Sequence, residues 1–170
     1  HFAVSNVEVR MTTRLAGEKT HFLPFNRGTA DGGAGNPPAA DGKSATAYLW
    51  EEVFARDALL GILGRFMHLE KVVATDPITG RKDRSTRLLF PRFHQWDAVR
   101  KLAATTAAEG VGQKYLIQHS AGSGKTNTIA WTAHRLARLQ VADEKVFDTV
   151  IVVTDRNVLD AQLQDALKQI

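Results

Sequence analysis

The alternation of apolar and polar residues indicates short strands and then a loop in the first part of the chain. Residues 2–15 alternate as a strand does, with one slip at Asn6, and a second short apolar stretch follows at 22–25. Residues 28–47 contain no large apolar side chain and are rich in Gly, Ala and Pro. Such a segment buries too little surface to offset its ordering entropy, so we expect a loop there.

A helix and a hairpin are predicted between residues 48 and 93. Residues 48–67 place apolar side chains at helical spacing over a broad face, as in a helix that packs between two partners. Residues 69–75 and 86–90 have the composition of strands, and 76–80 have that of the turn between them.

From residue 94 the pattern changes to helices that alternate with strands. Helices are predicted at 94–108, 125–139 and 157–170, and strands at 114–118 and 149–154. Strands separated by helices of this length form βαβ units. The predicted fold class is therefore α/β, with a parallel sheet and flanking helices, preceded by a small mixed α+β segment.

A glycine-rich motif joins the first predicted strand of this part to the helix after it, which is the context that a P-loop requires. Its glycines let successive backbone N–H groups converge on an anion, and the helix adds the positive end of its dipole. Lys125 has the reach for the β- and γ-phosphates, and the Thr126 hydroxyl can complete a Mg²⁺ shell. His119 stands where the strict pattern has glycine, a variant associated with helicases. The predicted nucleotide site comprises Ala121, Gly122, Ser123, Gly124, Lys125 and Thr126.

Hydrolysis also needs a carboxylate, usually at the end of a buried strand, to hold the magnesium ion. Asp143 and Glu144 precede the strand 149–154, so they are interpreted as a solvated turn. Asp155 does end that strand. A kinase-like or GTPase-like P-loop protein with Asp155 as its magnesium carboxylate therefore remains open.

Composition excludes several classes of protein. The chain has 170 residues, 44% hydrophobic and 24% charged, which is typical of a globular protein. It has no cysteine, which excludes a disulfide scaffold, a zinc finger and a thiol nucleophile. No apolar run approaches the roughly 18–20 residues that span a bilayer. We therefore expect no membrane segment. We also expect a cytoplasmic location.

The net charge of +4 is unevenly distributed. Residues 71–101 contain eight Lys and Arg against three Asp, a net +5. Contact of Arg81, Lys82 and Arg84 with DNA phosphates is one interpretation, and an exposed turn kept soluble by charge is the other. A non-catalytic DNA-binding module that uses residues 71–101 without responding to ATP also stays open.

Several blocks of the chain resemble, in order, the restriction (R) subunit of type I restriction enzymes. The blocks are FPRFHQWDAV at 90–99, YLIQHSAGSGKT at 115–126, VIVVTDR at 150–156, FLPFNRG at 22–28 and YLWEEV at 48–53. The resemblance covers essentially the whole chain. It implies a superfamily-2 DNA translocase fused behind a PD-(D/E)xK-type nuclease, which as a full-length protein is an ATP-dependent, site-specific deoxyribonuclease.

The resemblance also implies partners and further roles. ATP and Mg²⁺ would be the cofactors, and double-stranded DNA with the modification and specificity subunits the partners. Gln95 matches the residue that contacts adenine, for which its amide offers one donor and one acceptor group. Thr154 and Arg156 match a motif that lies near the tracked DNA strand.

The same resemblance predicts the domain organisation. Residues 1–28 would end the nuclease domain, 29–47 form a loop, 48–93 a connecting helix and basic hairpin, and 94–170 the first RecA-like lobe. We expect the nuclease carboxylates upstream of His1 and the DExx box downstream of residue 170, so these residues alone would be inactive. Glu8 and Arg10 suggest part of a nuclease site, but they are interpreted as exposed strand residues.

Overall fold

The computed structural model describes residues 1–39, 42–155 and 157–170. Within these ranges the chain forms two compact units, His1–His94 and Gln95–Ile170.

The first unit begins with a small antiparallel sheet in the order β1-β2-β3. Its strands are β1 (Phe2–Val4), β2 (Val9–Met11) and β3 (Leu23–Pro24). The slip in alternation at Asn6 lies in a turn, where the Ser5 N–H donates to the Glu8 carbonyl over 2.9 Å. The single strand predicted for 2–15 is therefore wrong, because the chain reverses at that slip.

The Gly- and Pro-rich loop after β3 is anchored by two asparagine side chains. Asn26 Oδ1 accepts from the Val9 N–H, and Asn36 Oδ1 accepts from the Arg27 N–H, each over 2.8 Å. Asn36 Nδ2 donates to the Val7 carbonyl over 3.0 Å. Side-chain amides thus supply contacts in a segment that lacks large apolar residues.

An aromatic cluster forms the core of the first unit. The ring of Phe2 makes edge contacts with those of Phe25 and Phe54, at centroid distances of 5.3 and 5.2 Å. Phe93 packs edge-on against Tyr48 at 5.1 Å. The buried Tyr48 hydroxyl donates to the Phe25 carbonyl over 2.6 Å, and burial raises the pKa of Tyr48 to about 12.

The helix predicted for 48–67 is interrupted. A π-helical turn occupies Leu49–Val53, and α1 spans Arg56–Arg65. Between them Ala55 has ψ 139°, an extended conformation that ends the helical hydrogen bonding. Ile62 is fully buried, but Leu60 is 56% exposed, so the broad apolar face of the prediction is only partly covered.

A long β-hairpin follows α1. Strands β4 (His68–Thr75) and β5 (Lys82–Leu89) pair antiparallel, from His68 opposite Leu89 to Thr75 opposite Lys82. Asp76 closes the turn by accepting the N–H groups of Ile78 and Thr79. The predicted turn is confirmed, and β5 begins four residues earlier than the strand predicted from 86.

Three helices organise the second unit. They are α2 (Phe93–Glu109), α3 (Lys125–Ala137) and α4 (Asn157–Gln169), close to their predicted bounds. In α2 a buried face comprises Trp96, Val99, Ala103 and Thr106. The α3 residue His134 donates through Nε2 to the Leu167 carbonyl of α4 over 2.9 Å. Trp131 of α3 is 2% exposed.

The structure does not show the predicted parallel sheet. Segments 114–118 and 149–154 have no strand pairing within the ranges that the structure describes. Leu116 is 91% and Ile151 81% exposed, whereas a central parallel strand is buried on both faces. A strand exists only through hydrogen bonds to neighbours, and neither segment pairs with another strand here.

A very short hairpin connects α3 to the segment 149–154. Strands β6 (Gln140–Val141) and β7 (Glu144–Lys145) pair antiparallel. Ala142 and Asp143 both have positive φ, 51° and 66°, as in the two-residue turns that close tight hairpins. Asp143 is exposed in the turn, as predicted, whereas Glu144 is exposed but begins β7. No helix within the described ranges is long and apolar enough to span a bilayer.

Candidate functional site

The glycine-rich motif forms a loop that leads directly into the first turn of α3. Gly122 has φ 72° and Gly124, the residue before the helix, has φ 81°. This left-handed conformation is strained for residues with a Cβ, so the two glycines are required by the path of the loop. The loop leads into the N-terminus of a helix, where backbone N–H groups favour the binding of phosphate.

The Lys125 ammonium folds back over this loop. Its Nζ donates to the Ser120 carbonyl over 2.7 Å and to the His119 carbonyl over 3.1 Å. Lys125 is exposed, so solvent reaches its side chain. A triphosphate at the loop would offer its oxygens in place of these carbonyls, and the residues therefore fit a nucleotide phosphate chain.

Gln95, in the first turns of α2, contacts the same loop. Its Nε2 donates to the Gly124 carbonyl over 2.9 Å and to the Ser123 carbonyl over 3.4 Å. A Cβ built on Gly124 would lie 2.6 Å from that nitrogen. The glycine at 124 is thus needed for the close approach of Gln95 as well as for its φ. The adenine contact of Gln95 stays a prediction.

The surroundings of His119 lower the pKa of its imidazole. Burial, and secondarily the positive charge of Lys125, hold the pKa of His119 below its usual value. The imidazole is therefore neutral near pH 7. This keeps a second full charge away from Lys125 in the absence of a bound anion.

The remaining predicted residues of the motif lie around this loop. Ala121 is exposed, Ser123 is buried, and Thr126 lies half-buried in the first turn of α3. Nothing in the structure tests the magnesium contact predicted for Thr126. Across the described ranges, no three His, Asp or Glu side chains come together as a metal cluster.

The residues predicted near DNA lie in two places. Thr154 is half-buried after the extended segment and Asp155 is exposed, while Arg156 lies outside the described residues. Arg81, Lys82 and Arg84 are exposed on the β4–β5 hairpin.

The contact between Gln95 and the loop carbonyls was missed by sequence reasoning. Gln95 and Gly124 are 29 residues apart, and no local pattern links them. The sequence block that contains Gln95 pointed to an adenine contact and carried no signal for a hydrogen bond to the loop.

The glycine-rich loop, Lys125 and the start of α3 have the arrangement that the sequence predicted for a P-loop. Residues 94–170 match the SWI2/SNF2 ATPase family. The match supports an ATP-dependent, helicase-like segment, for which ATP and Mg²⁺ are the expected cofactors. No curated protein and no solved structure matches the chain.

Proposed function

We propose that this chain is part of an ATP-dependent motor that moves along double-stranded DNA, of the kind found in type I restriction enzymes. The observation that supports ATP binding best is the Lys125 ammonium, which hydrogen-bonds to carbonyls of the glycine-rich loop. The family match over 94–170 supports a helicase-like ATPase. The type I assignment rests on the resemblance of the sequence blocks to the R subunit.

Each residue of the loop has a distinct task in this proposal. Backbone N–H groups of Gly122, Ser123 and Gly124 would bind the phosphate chain at the start of α3. Lys125 would exchange its two carbonyl partners for β- and γ-phosphate oxygens, and Thr126 would contribute its hydroxyl to Mg²⁺. Bound ATP–Mg²⁺ supplies the free energy of hydrolysis.

The wider assembly follows from the same proposal. The full-length protein would be an ATP-dependent, site-specific deoxyribonuclease acting in the cytoplasm with modification and specificity subunits on double-stranded DNA. The helicase-like family match favours this over a kinase-like or GTPase-like protein that uses Asp155 for magnesium.

Triplex displacement tests translocation. The intact protein, assembled with its modification and specificity subunits, is mixed with duplex DNA that holds a distant third strand. We expect ATP-dependent release of that strand by the wild type and by Lys145→Ala, an exposed lysine in β7, and none by Lys125→Ala. The proposal would be contradicted if DNA does not stimulate ATP hydrolysis and the third strand is not released. That result would favour another P-loop NTPase.

A further inference from the structure

The β4–β5 hairpin separates its charges onto two faces. Directly opposed residues of an antiparallel pair share a face, and the faces alternate along each strand. The register places Lys71 opposite Thr86 and Arg84 opposite Val73. Lys82 is two residues before Arg84 and so shares its face. Lys71, Lys82 and Arg84 therefore form one surface, termed the cationic face.

The acidic residues of the two strands lie on the other face. Glu70 is opposite Arg87, and the two side chains form an ion pair. Asp83 alternates with Lys82 and Arg84 and therefore points away from them. The register of β4 and β5 thus assigns three cationic residues and no carboxylate to the cationic face.

The shape of the hairpin fits a duplex. Each strand has eight residues, which corresponds to about 27 Å, and paired strands lie about 4.8 Å apart. The major groove of B-DNA, about 12 Å wide, admits a two-stranded ribbon, whereas the major groove of A-form RNA is narrow and deep. Lys82 and Arg84 are about 6.8 Å apart along the strand, which is close to two base-pair rises.

We propose that the cationic face of the β4–β5 hairpin is a contact surface for the phosphate backbone of double-stranded DNA. The choice of DNA as the polymer rests on the proposed function. The cationic face itself includes no residue of the glycine-rich loop. The register adds Lys71 to the predicted contacts Lys82 and Arg84 and places Arg87 on the opposite face. Arg81 precedes β5, so the strand register assigns it to neither face.

A pair of arginines on β5 gives a matched test. Arg84→Gln and Arg87→Gln make the same change in net charge three residues apart on one strand, but on opposite faces. Binding of the intact protein to a fluorescent 25-base-pair duplex is measured by anisotropy, without nucleotide, at several salt concentrations. The slope of log K against log salt should fall by about 0.9 for each phosphate that the variant no longer neutralises.

We expect Arg84→Gln to lower the slope by about 0.9 and the triple variant with Lys71→Gln and Lys82→Gln by about 2.7, with Arg87→Gln unchanged. Arg84→Lys, which keeps the charge, should restore the wild-type slope. Equal slopes for Arg84→Gln and Arg87→Gln would overturn the proposal, as would tighter binding to a duplex RNA of the same sequence. Loss of ATP binding in Lys125→Ala tests the proposed function separately, so either idea can fail while the other stands.

Discussion

At the scale of single residues, the glycine-rich loop and Gln95 form one hydrogen-bonded unit. The Gly124 carbonyl accepts from Gln95 Nε2 and also from the N–H groups of Asn127 and Thr128 in α3. Gln95 is 4% exposed, so its amide is held in place by its surroundings. The side chain therefore positions the loop, whether or not it also contacts adenine.

This arrangement predicts that Gln95→Glu weakens the binding of all nucleoside triphosphates together. A carboxylate cannot donate to the Gly124 and Ser123 carbonyls, and it adds negative charge close to the phosphate site. The dissociation constants of ATP and GTP, measured by titration calorimetry, should rise by a similar factor, about tenfold or more for a loss of at least 1.4 kcal/mol. Gln113→Glu, an exposed glutamine in the same unit, is the control.

The alternative role gives a different result. If Gln95 only contacts the adenine base, Gln95→Glu should raise the dissociation constant of ATP and leave that of GTP unchanged. A rise confined to ATP would therefore contradict the positioning role and support the predicted adenine contact.

At the scale of secondary-structure elements, the sequence predicted best those elements whose stability is local. Helices α2, α3 and α4 and the turn at 76–80 follow from helical periodicity and from turn chemistry within a few residues. The break at Ala55 was not predictable, because 48–67 has continuous helical spacing and the interruption arises where Phe54 joins the aromatic cluster.

The segments 114–118 and 149–154 were predicted as strands and do not form them in the structure. Their β-branched and apolar composition favours strands, but strand formation requires hydrogen-bonded neighbours that lie far away in sequence. The faces of the β4–β5 hairpin were likewise hidden until the register was known, since a shift of one residue exchanges them.

The aromatic cluster of the first unit provides a stability prediction. Tyr48→Phe removes the donor to the Phe25 carbonyl and leaves that buried acceptor unsatisfied. We expect the free energy of unfolding to fall by about 1–2 kcal/mol in urea denaturation. Tyr115→Phe, which removes an exposed hydrogen bond to Glu109, is the control and should leave the midpoint unchanged. Equal stability of Tyr48→Phe and the wild type would show that the hydrogen bond contributes nothing.

At the scale of the whole molecule, the chain is two compact units with different chemistry. The first unit contains the aromatic core and the cationic hairpin, and the second contains the glycine-rich loop. The change of pattern at residue 94 predicted the start of a new domain. The glycine-rich loop before α3 was predictable, because the residues that form it are adjacent in sequence. The contact with Gln95 was not, since it depends on tertiary structure.

In the proposed function, the loop at the start of α3 binds ATP–Mg²⁺ through Lys125. Binding of a fluorescent ATP analogue to the chain, with and without Mg²⁺, measures this most directly. We expect weak, Mg²⁺-dependent binding that falls about 10- to 100-fold in Lys125→Ala, because a charge-assisted contact contributes about 1.5–3 kcal/mol. Lys145→Ala should bind as the wild type does. Unchanged affinity in Lys125→Ala would contradict the proposed role of Lys125 in binding ATP.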